Sequence, residues 1–541
     1  MISKIKSIVL IVFFFTNFNF AQDETRQTPS VELPDFVITG RDIISVKKVN
    51  KLPLDYISTI SDEFLRPQFS PEELEIRDLS NPIKSDLNLL DSLHFYRGNI
   101  EAGAGVYTVP KVKATYAHPF TNGIVEGVFS GIYNRAYDID FSDRYSLNLG
   151  GNFIYWSDID NRFLPGTQSN ISADIGTTAF KLFASDEPDQ RRSINYGNLL
   201  VAIRNNYNKN FQFGFSLSDH VTALGEEEFN DNFFRIKGES KIIVSAINIG
   251  IAADYQKHYI KNSIGDKQGG DMFLFRPVAG FQITNLIRGA FGFTFSNSGG
   301  EKFGAPYASL ALRLGQYLTL FGEYAPISQL VSPGTFLRQN EYFNAVNYSS
   351  IYFDKLNYLD LALKFEYGPY YQINGGIRYF NSDSFPYYVN TVDTVATGKF
   401  DLGFTKMTSI NPYVDLLYHL GPFGKLYGTV EVNFTKTNSD TLSNYLTYHP
   451  VLKASGLYGY RFEMGLETQV KLSYYSKSYA DIENEVEIDP FIDLGLNFIY
   501  NLQPNFDLTF ALNNLLSNKN YRWFGYKEMP LNVIFGMNYR F

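Results

Sequence analysis

The chain has 541 residues, no cysteine, 16% aromatic residues and a formal net charge of −9 at pH 7. The lack of cysteine excludes disulfides, thiol catalysis and cysteine metal sites, and the negative charge argues against nucleic-acid binding, which requires a basic footprint. The mean hydropathy of −0.17 is too low for a helical membrane protein. It suits a β-barrel, because the strands of a barrel alternate apolar and polar side chains and the two average out.

The first part of the chain has the pattern of a secretory signal peptide. Lys4 and Lys6 precede an apolar run over residues 8–15, and residues 17–21 lead into a cleavage site before Gln22. The apolar run is shorter than the ~20 residues that a transmembrane helix needs. The sequence therefore predicts export, with residues 1–21 removed from the mature protein.

Residues 22–94 form a second region with a different composition. They are rich in proline, aspartate and glutamate, and they show no sustained hydrophobic period. Such a composition is typical of irregular structure, and we expect only one short strand, over residues 35–39. The prediction is a mostly irregular periplasmic segment ahead of the first membrane strand.

From residue 95 to residue 541, apolar and polar side chains alternate repeatedly, which is the period of a β-strand. In residues 287–295 and 359–367, for example, Arg288 and Asp360 occupy polar positions. Several segments span about ten residues or more, the length that crosses a bilayer at a tilt, whereas globular strands average ~5–6. A soluble β-sandwich also alternates, but this chain would need several domains of ~100 residues with linkers that the sequence lacks.

The strand spacing predicts the size of the barrel and its orientation. At about 20 residues per strand and connection, residues 95–541 fit about 22 strands, in a range of roughly 20 to 24, and an even number is expected. Whether the count of strands is even depends on residues 384–420. Within them, residues 386–390 either form a strand of their own or belong to a neighbouring strand. Both termini are expected in the periplasm, which places the longer connections outside. These connections are residues 157–166, 256–269, 326–353, 437–447 and 516–529.

The C-terminal residues 531–541 alternate with one exception, Ile534, and end on an aromatic ring. Phe535, Tyr539 and Phe541 fall on the apolar face, which suits a strand that finishes at a membrane interface. Such an ending resembles the closing strand of a bacterial outer-membrane barrel, where it is also the signal read by the barrel assembly machinery. We therefore predict that these three residues close the barrel and direct its assembly.

A more specific resemblance covers the last part of the chain, from about Tyr448 onward. Its motifs are Tyr448-His449-Pro450, Phe506-Asp-Leu-Thr-Phe-Ala-Leu-Asn-Asn-Leu-Leu516, Asn518-Lys-Asn-Tyr521-Arg and Phe524-Gly-Tyr526, followed by the closing strand. Together they resemble the end of a TonB-dependent outer-membrane receptor. The resemblance implies an all-β transmembrane antiparallel barrel in the outer membrane of a Gram-negative bacterium, with a role in transport.

The chain departs from that family at its front. Receptors of the family carry a plug domain longer than residues 22–94, and the signatures of the plug sheet are missing here. The stretch similar to the entry of a plug comprises Asp35, Phe36, Val37, Ile38, Thr39 and Gly40. We interpret residues 22–94 as a gate, a vestigial plug or a partner contact. Because a barrel of ~22 strands has a wide lumen, something should fill it: residues 22–94, outer loops such as residues 326–353, or a separate protein.

The candidate chemistry is sparse. The six histidines show no metal-ligand spacing, and we expect no metal and no cofactor. Ser216, Ser218 and His220 share the lumen face of one strand, with Asp219 beside them, and barrel-embedded phospholipases use serine and histidine. Polar residues are also what any lumen wall carries, so a structural role is preferred and no enzyme is expected.

Two functional classes remain open from the sequence. One is transport or channel activity for a solute, with residues 22–94 or a partner gating the lumen. The other is an anchor or binding component with an occluded lumen, whose outer loops capture a ligand or a partner protein. In both cases the expected partners are outer-membrane lipid, the barrel assembly machinery and a periplasmic or surface protein, with no nucleic acid.

Overall fold

The computed structural model describes most of the region predicted to form the barrel. The described residues are 96–161, 164–205, 208, 210–262, 269–284, 286–367, 371–390, 396–419, 424–437 and 445–541. The predicted signal peptide and the segment 22–94 lie outside these residues. That segment includes the predicted gate or partner-contact residues Asp35, Phe36, Val37, Ile38, Thr39 and Gly40.

Long antiparallel strands make up nearly all of the described chain. The strands in the first half are β1 (Gly98–Gly105), β2 (Thr108–Phe120), β3 (Gly123–Asn134), β4 (Arg144–Trp156), β5 (Gln168–Lys181), β6 (Arg191–Asn205), β7 (Phe211–Leu224), β8 (Phe229–Val244), β9 (Ile247–Lys261), β10 (Asp271–Thr284), β11 (Ile287–Ser298) and β12 (Glu301–Arg313). The strands in the second half are β13 (Leu318–Tyr324, continued as Ile327–Val331), β14 (Ile351–Tyr367), β15 (Tyr371–Val389), β16 (Asp401–His419), β17 (Lys425–Val432, continued as Phe434–Thr437), β18 (Leu452–Arg461), β19 (Leu466–Tyr475), β20 (Phe491–Gln503), β21 (Phe506–Asn513) and β22 (Asn532–Arg540).

These strands form one closed barrel of 22 strands, which confirms the predicted fold class and strand number. Each strand pairs with its neighbours in the chain, and β1 closes the ring by pairing with β22. At the closure the Gly98 amide donates to the Phe541 carbonyl at 2.9 Å, and the Phe541 amide donates to the Gly98 carbonyl at 3.0 Å. The terminal residue therefore takes part in the seam of the barrel.

The last strand shows the alternation that the sequence predicts. Phe535, Met537 and Tyr539 are 65%, 50% and 43% exposed, as expected for side chains on the outer, lipid-facing surface. On the opposite face, Asn538 and Arg540 contact the Asp507 carboxylate on β21. The apolar face therefore looks outward, and the polar face lines the lumen.

The two ends of the barrel differ in the length of their connections. The turns next to the termini are mostly short, such as residues 121–122 and 245–246, whereas the opposite end carries residues 332–350 and 514–531. We call the opposite end the outer mouth, because outer-membrane barrels keep their longer loops outside. No helix in the described part of the chain has the length and apolar character needed to cross a membrane.

The structure corrects one prediction about the connections and answers one question that the sequence left open. Residues 157–166 lie at the end that carries the termini, so the prediction that they are an outer loop is wrong. The reason is strand order: β4 is the fourth strand, and because antiparallel neighbours alternate in direction, it ends on the side that carries the termini. Residues 386–390 add no separate strand, because Pro386 pairs with Phe404 as part of β15. The number of strands is therefore even.

Candidate functional site at the outer mouth

The upper part of one strand pair leaves the wall. Leu318–Tyr324 pairs with both β12 and β14, but Ile327–Val331 pairs only with residues 351–355 of β14. Pro326 has no N–H to donate to a ladder, and Asn357 has a left-handed φ of 48° next to a shift in the β14–β15 register. These two residues break the pairing at the same level. We call Ile327–Val331 with residues 351–355 the mouth hairpin, and residues 332–350 the cap loop.

The cap loop begins with a short helix, α1 (Pro333–Gln339). Ser332 caps it, because its hydroxyl accepts a hydrogen bond from the Thr335 amide at 3.2 Å, and a proline at the first position fits a helix start. The helix ends where the Asn340 amide donates to the Phe336 carbonyl at 2.8 Å. A second short turn, Ala345–Asn347, follows. The loop therefore has ordered structure of its own.

An aromatic cluster fixes the cap loop in the mouth. The ring of Tyr342 stacks on Tyr526 of the loop 514–531, with 3.5 Å between centroids and 14° between planes. Tyr526 in turn donates its hydroxyl to the Gly398 carbonyl at 2.6 Å, which brings three outer loops together. Other fully or nearly fully buried members are Phe336, Phe343, Tyr388, Phe400, Tyr448 and Trp523. Burial raises the pKa of Tyr342 well above its usual value.

Two arginines of the wall hold the centre of the cap loop. Arg144 on β4 makes a bidentate pair with Glu341, with distances of 2.8 and 3.0 Å. Arg192 on β6 is 1% exposed and donates to the carbonyls of Glu341 at 2.9 Å and Phe343 at 2.7 Å. Glu227 balances the charge of Arg192 at 3.1 Å. Charge-assisted bonds of this kind are about twice as strong as neutral ones, so these arginines are the main polar anchors of the loop.

A second group of wall residues holds the two ends of the cap loop. The Gly334 amide donates to Asp231 Oδ2 at 2.6 Å, and Asp231 Oδ1 is hydrogen-bonded to His258 Nε2. Because a carboxylate only accepts, Nε2 donates to Asp231, and the other ring nitrogen, Nδ1, is hydrogen-bonded to the Ser350 hydroxyl at 2.5 Å. Asp231 and His258 on β8 and β9 therefore tie the start of the loop to its end.

Ser350, His258 and Asp231 are the residue types of a catalytic triad, but here they hold the cap loop in place. His258 is fully buried, and the second oxygen of Asp231 is already engaged by the Gly334 amide. Sequence reasoning missed this group, because His258 is separated by 27 residues from Asp231 and by 92 from Ser350. Only the barrel topology brings them together, and no local spacing in the sequence indicates it.

The predicted serine–histidine cluster does not assemble in the same way. His220 Nδ1 lies 2.6 Å from the Asn198 amide oxygen on the neighbouring strand. Asp219 points to the other face of β7 and accepts from the Asn232 amide group at 3.0 Å. Ser216 lines a polar cavity of about 240 Å³ on the lumen wall. Ser216 and His220 therefore form part of a polar lumen, whereas Asp219 lies on the opposite face of the strand.

The lumen wall below the mouth is polar and charged. That cavity is also lined by Arg204, Lys237 and Glu239. Elsewhere on the wall, the Tyr413 hydroxyl donates to Asp360 at 3.2 Å, and the buried Arg235 contacts Asp254 at 2.6 Å. Buried charges in membrane barrels occur where they are paired or face a lumen. The interior therefore suits water and polar solutes.

The chain resembles solved structures in its fold. No protein-family model matches it, and no curated protein sequence does. The structure of the siderophore receptor PirA from Acinetobacter baumannii matches with a TM-score of 0.60 and 10% identity, over 82% of this chain and 80% of that one. The pyoverdine receptor FpvA from Pseudomonas aeruginosa matches with a TM-score of 0.59 and 11% identity, over 84% and 79%.

A third structure agrees with these two. The ferric-catecholate import receptor Fiu from Escherichia coli K12 matches with a TM-score of 0.60 and 9% identity, over 83% of this chain and 82% of that one. At this identity the likeness concerns the fold. The described chain has the 22-strand barrel fold of TonB-dependent receptors. Barrels of this kind are located in the outer membrane of Gram-negative bacteria.

Proposed function

We propose that this protein carries a solute across the outer membrane through its barrel, and that the cap loop is the outer gate. One observation carries the proposal: a single loop, residues 332–350, lies across the mouth of a wide barrel with a polar lumen. A wide lumen lined by polar side chains offers a route for a polar solute, and the cap loop lies where it can control entry to that route.

The contacts of the cap loop suit a gate. The polar anchors are discrete hydrogen bonds and ion pairs, made by Arg144, Arg192, Asp231 and His258. Loops that open and close are a common means of gating, and discrete polar contacts of this kind can be broken and re-formed without disturbing the scaffold. The barrel wall is independent of them, since its strands are joined by backbone ladders. Opening therefore leaves the wall intact.

The residues before the barrel have a proposed role at the other end of the route. We assign residues 22–94, with Asp35, Phe36, Val37, Ile38, Thr39 and Gly40, as an inner gate, a vestigial plug or a partner contact. The proposal rests on the departure of this segment from the plug of the receptor family. Two gates in series would let a solute pass without leaving an open hole in the membrane.

A second candidate function is an anchor whose mouth stays closed, with the outer loops capturing a ligand or a partner protein. The observation that favours it is the aromatic cluster, since Phe336, Phe343 and Phe400 at the mouth are almost completely buried. Each buried aromatic side chain contributes about 1.5–3 kcal/mol. A permanent closure would be stabilised in this way.

Single-channel conductance in planar bilayers separates the two functions. Four proteins are compared: the mature chain and a chain lacking residues 22–94, each with the native cap loop or with Arg192→Ala. Transport predicts the largest current when both the segment is removed and Arg192 is replaced. Silence in all four proteins would contradict transport and favour the anchor. A ferric catecholate is the first solute to test for uptake, because Fiu imports such chelates.

A further inference from the structure

The inward position of the mouth hairpin leaves two strand edges in the wall without partners. Among the described strands, residues 301–307 of β12 pair only with β11, and residues 382–389 of β15 pair only with β16. The two outer edges of the hairpin also pair with no other described strand. Among the described strands, four edges therefore lack a neighbouring strand where a continuous barrel wall would have none, and we call the space between β12 and β15 the wall slot.

The hairpin matches the wall slot in length and register. The last wall pair between β12 and β13 is Ala308 with Tyr324, and continuing it one residue at a time places Val331 opposite Glu301. Val331 is the last residue of the hairpin strand, and Glu301 is the first residue of β12. On the other side, the pair Leu356 with Asn381 continues to residue 351 opposite residue 386. Both edges of the hairpin would thus find a full partner.

We propose that the mouth hairpin has two seats, the inward seat seen here and a second seat in the wall slot. This inference rests on the proposed gate and states how it moves. Because the cap loop is joined to both strands of the hairpin, seating the hairpin in the wall withdraws the loop and opens the mouth. Seating it inward closes the mouth and opens the slot.

Each seat stabilises the hairpin through a different set of contacts. In the inward seat Ser328 contacts Ser296 on β11, and the cap loop reaches Asp231 and His258. In the wall seat the same hairpin would gain backbone hydrogen bonds along β12 and β15. The inward seat also carries a cost, since the wall part of β13 has 7 residues and a membrane-spanning strand takes about 9–11. Unpaired strand edges are unfavourable at that depth.

The structure also has a hinge at the foot of the hairpin. Pro326 interrupts one strand, and Asn357 with its left-handed φ of 48° interrupts the other. The Tyr324 hydroxyl donates to the Asn357 amide oxygen at 3.3 Å, and Asn357 donates to Asn381 at 3.0 Å. These bonds lie on the wall side of the break. The hairpin can therefore rotate while the strands below it stay paired.

Engineered disulfides test the two seats, because the chain has no cysteine of its own. The pair Ser296→Cys with Ser328→Cys reports the inward seat, since the two hydroxyls are in contact. The pair Gly304→Cys with Ser328→Cys reports the wall seat, because continuing the β12–β13 register places residues 304 and 328 opposite each other. The two variants share position 328. Each is oxidised in outer-membrane vesicles, with and without Arg192→Ala, in the full mature chain.

We expect Arg192→Ala to change which cysteine pair forms a disulfide. In the native background the inward pair should dominate, and Arg192→Ala should raise the yield of the wall pair about tenfold, the change that 1.4 kcal/mol gives. The control pair Ser146→Cys with Thr178→Cys lies across β4 and β5, where the native oxygens are 3.0 Å apart, and should form equally in both backgrounds. Lys302→Cys with Leu330→Cys repeats the wall test if the position 304 variant fails to assemble.

Two outcomes would overturn this inference. If Arg192→Ala abolishes the inward pair while neither wall pair forms, the cap loop opens by another movement. If the wall pairs form at the same low yield with and without Arg192→Ala, the hairpin has only one seat. The proposed transport is judged separately, since it fails only if no current flows in the four-protein comparison.

Discussion

In the barrel wall, neighbouring strands are joined by backbone hydrogen bonds, whereas across the outer mouth the cap loop is joined to the wall by side chains. The wall repeats one pattern over 22 strands. The mouth depends on a few residues, each with its own partner, such as Arg192 with the carbonyls of Glu341 and Phe343. The difference indicates that the wall below the mouth is the permanent part of the molecule, and that the mouth, with the mouth hairpin, is the part that can change.

The largest expected effect concerns the wall alone. Deleting Phe541 removes both backbone bonds to Gly98 and a ring that stacks near Tyr116, with 6.5 Å between centroids. We expect a loss of assembled barrel, measured as heat-modifiable protein in outer-membrane fractions. Phe524→Ala, which removes an exposed aromatic ring from an outer loop, is the matched control. Native levels of barrel after the deletion would refute the assigned role of Phe541 in closure and assembly.

Arg192→Ala should affect the mouth and spare the wall. It removes the donors to two cap-loop carbonyls, while Glu227 keeps Lys399 at 3.1 Å, and the loss of a hydrogen bond from a charged group costs about 1.5–3 kcal/mol. Amide hydrogen exchange over residues 332–350 should accelerate, while the heat stability of the barrel stays unchanged. Arg191→Ala is the control, since the neighbouring Arg191 contacts Tyr145 in an exposed position. Equal protection in both variants would refute the anchor.

Asp231→Asn should loosen both ends of the cap loop. The amide keeps the shape of the side chain but removes the charge that holds the Gly334 amide and His258, and hydrogen bonds to charged groups contribute about 1.5–3 kcal/mol. Exchange should rise at Gly334 and Ser350 more than at Tyr342. Asp219→Asn on the adjacent strand, which contacts Asn232, should leave all three positions unchanged. A rise in exchange confined to Tyr342 would contradict the claim that Asp231 holds the two ends of the cap loop.

Tyr526→Phe should have a smaller effect on the mouth. The ring still stacks on Tyr342, and only the hydrogen bond to the Gly398 carbonyl is lost, which costs about 1 kcal/mol. A modest rise in exchange near residue 398 is expected, with Tyr521→Phe as the control. Loss of protection across the whole cap loop would mean that this single bond, and not the aromatic cluster, holds the loops together.

The smallest effect is a dependence on pH. Burial raises the pKa of Tyr348 to about 12, above its ordinary value of 10.0, and its hydroxyl bonds to the backbone of Leu402. The neutral phenol therefore stabilises the closed loop fully below pH 10, and this contribution is lost as the pH rises through about 12. Ultraviolet titration should show Tyr348 ionising late, as a difference from Tyr348→Phe. Ionisation of that residue at its ordinary value would show that the mouth is open.

Sequence reasoning succeeds for the wall and fails for much of the mouth, for physical reasons. The alternation that includes Arg288 and Asp360 predicts strands, because period two is a local property of the chain. Residues 326–353 were among three candidates to fill the barrel, and the structure buries most of them at the mouth. The anchors Asp231 and His258 could not be predicted, because their partners come from distant segments.

Single-channel conductance of one locked protein tests the central claim most directly. The protein lacks residues 22–94 and carries Arg192→Ala together with Ser296→Cys and Ser328→Cys, so that oxidation fixes the hairpin inward. We expect no current after oxidation, a large current after reduction and no current again after reoxidation. The same current in the oxidised and reduced states would contradict the claim that the cap loop is the outer gate.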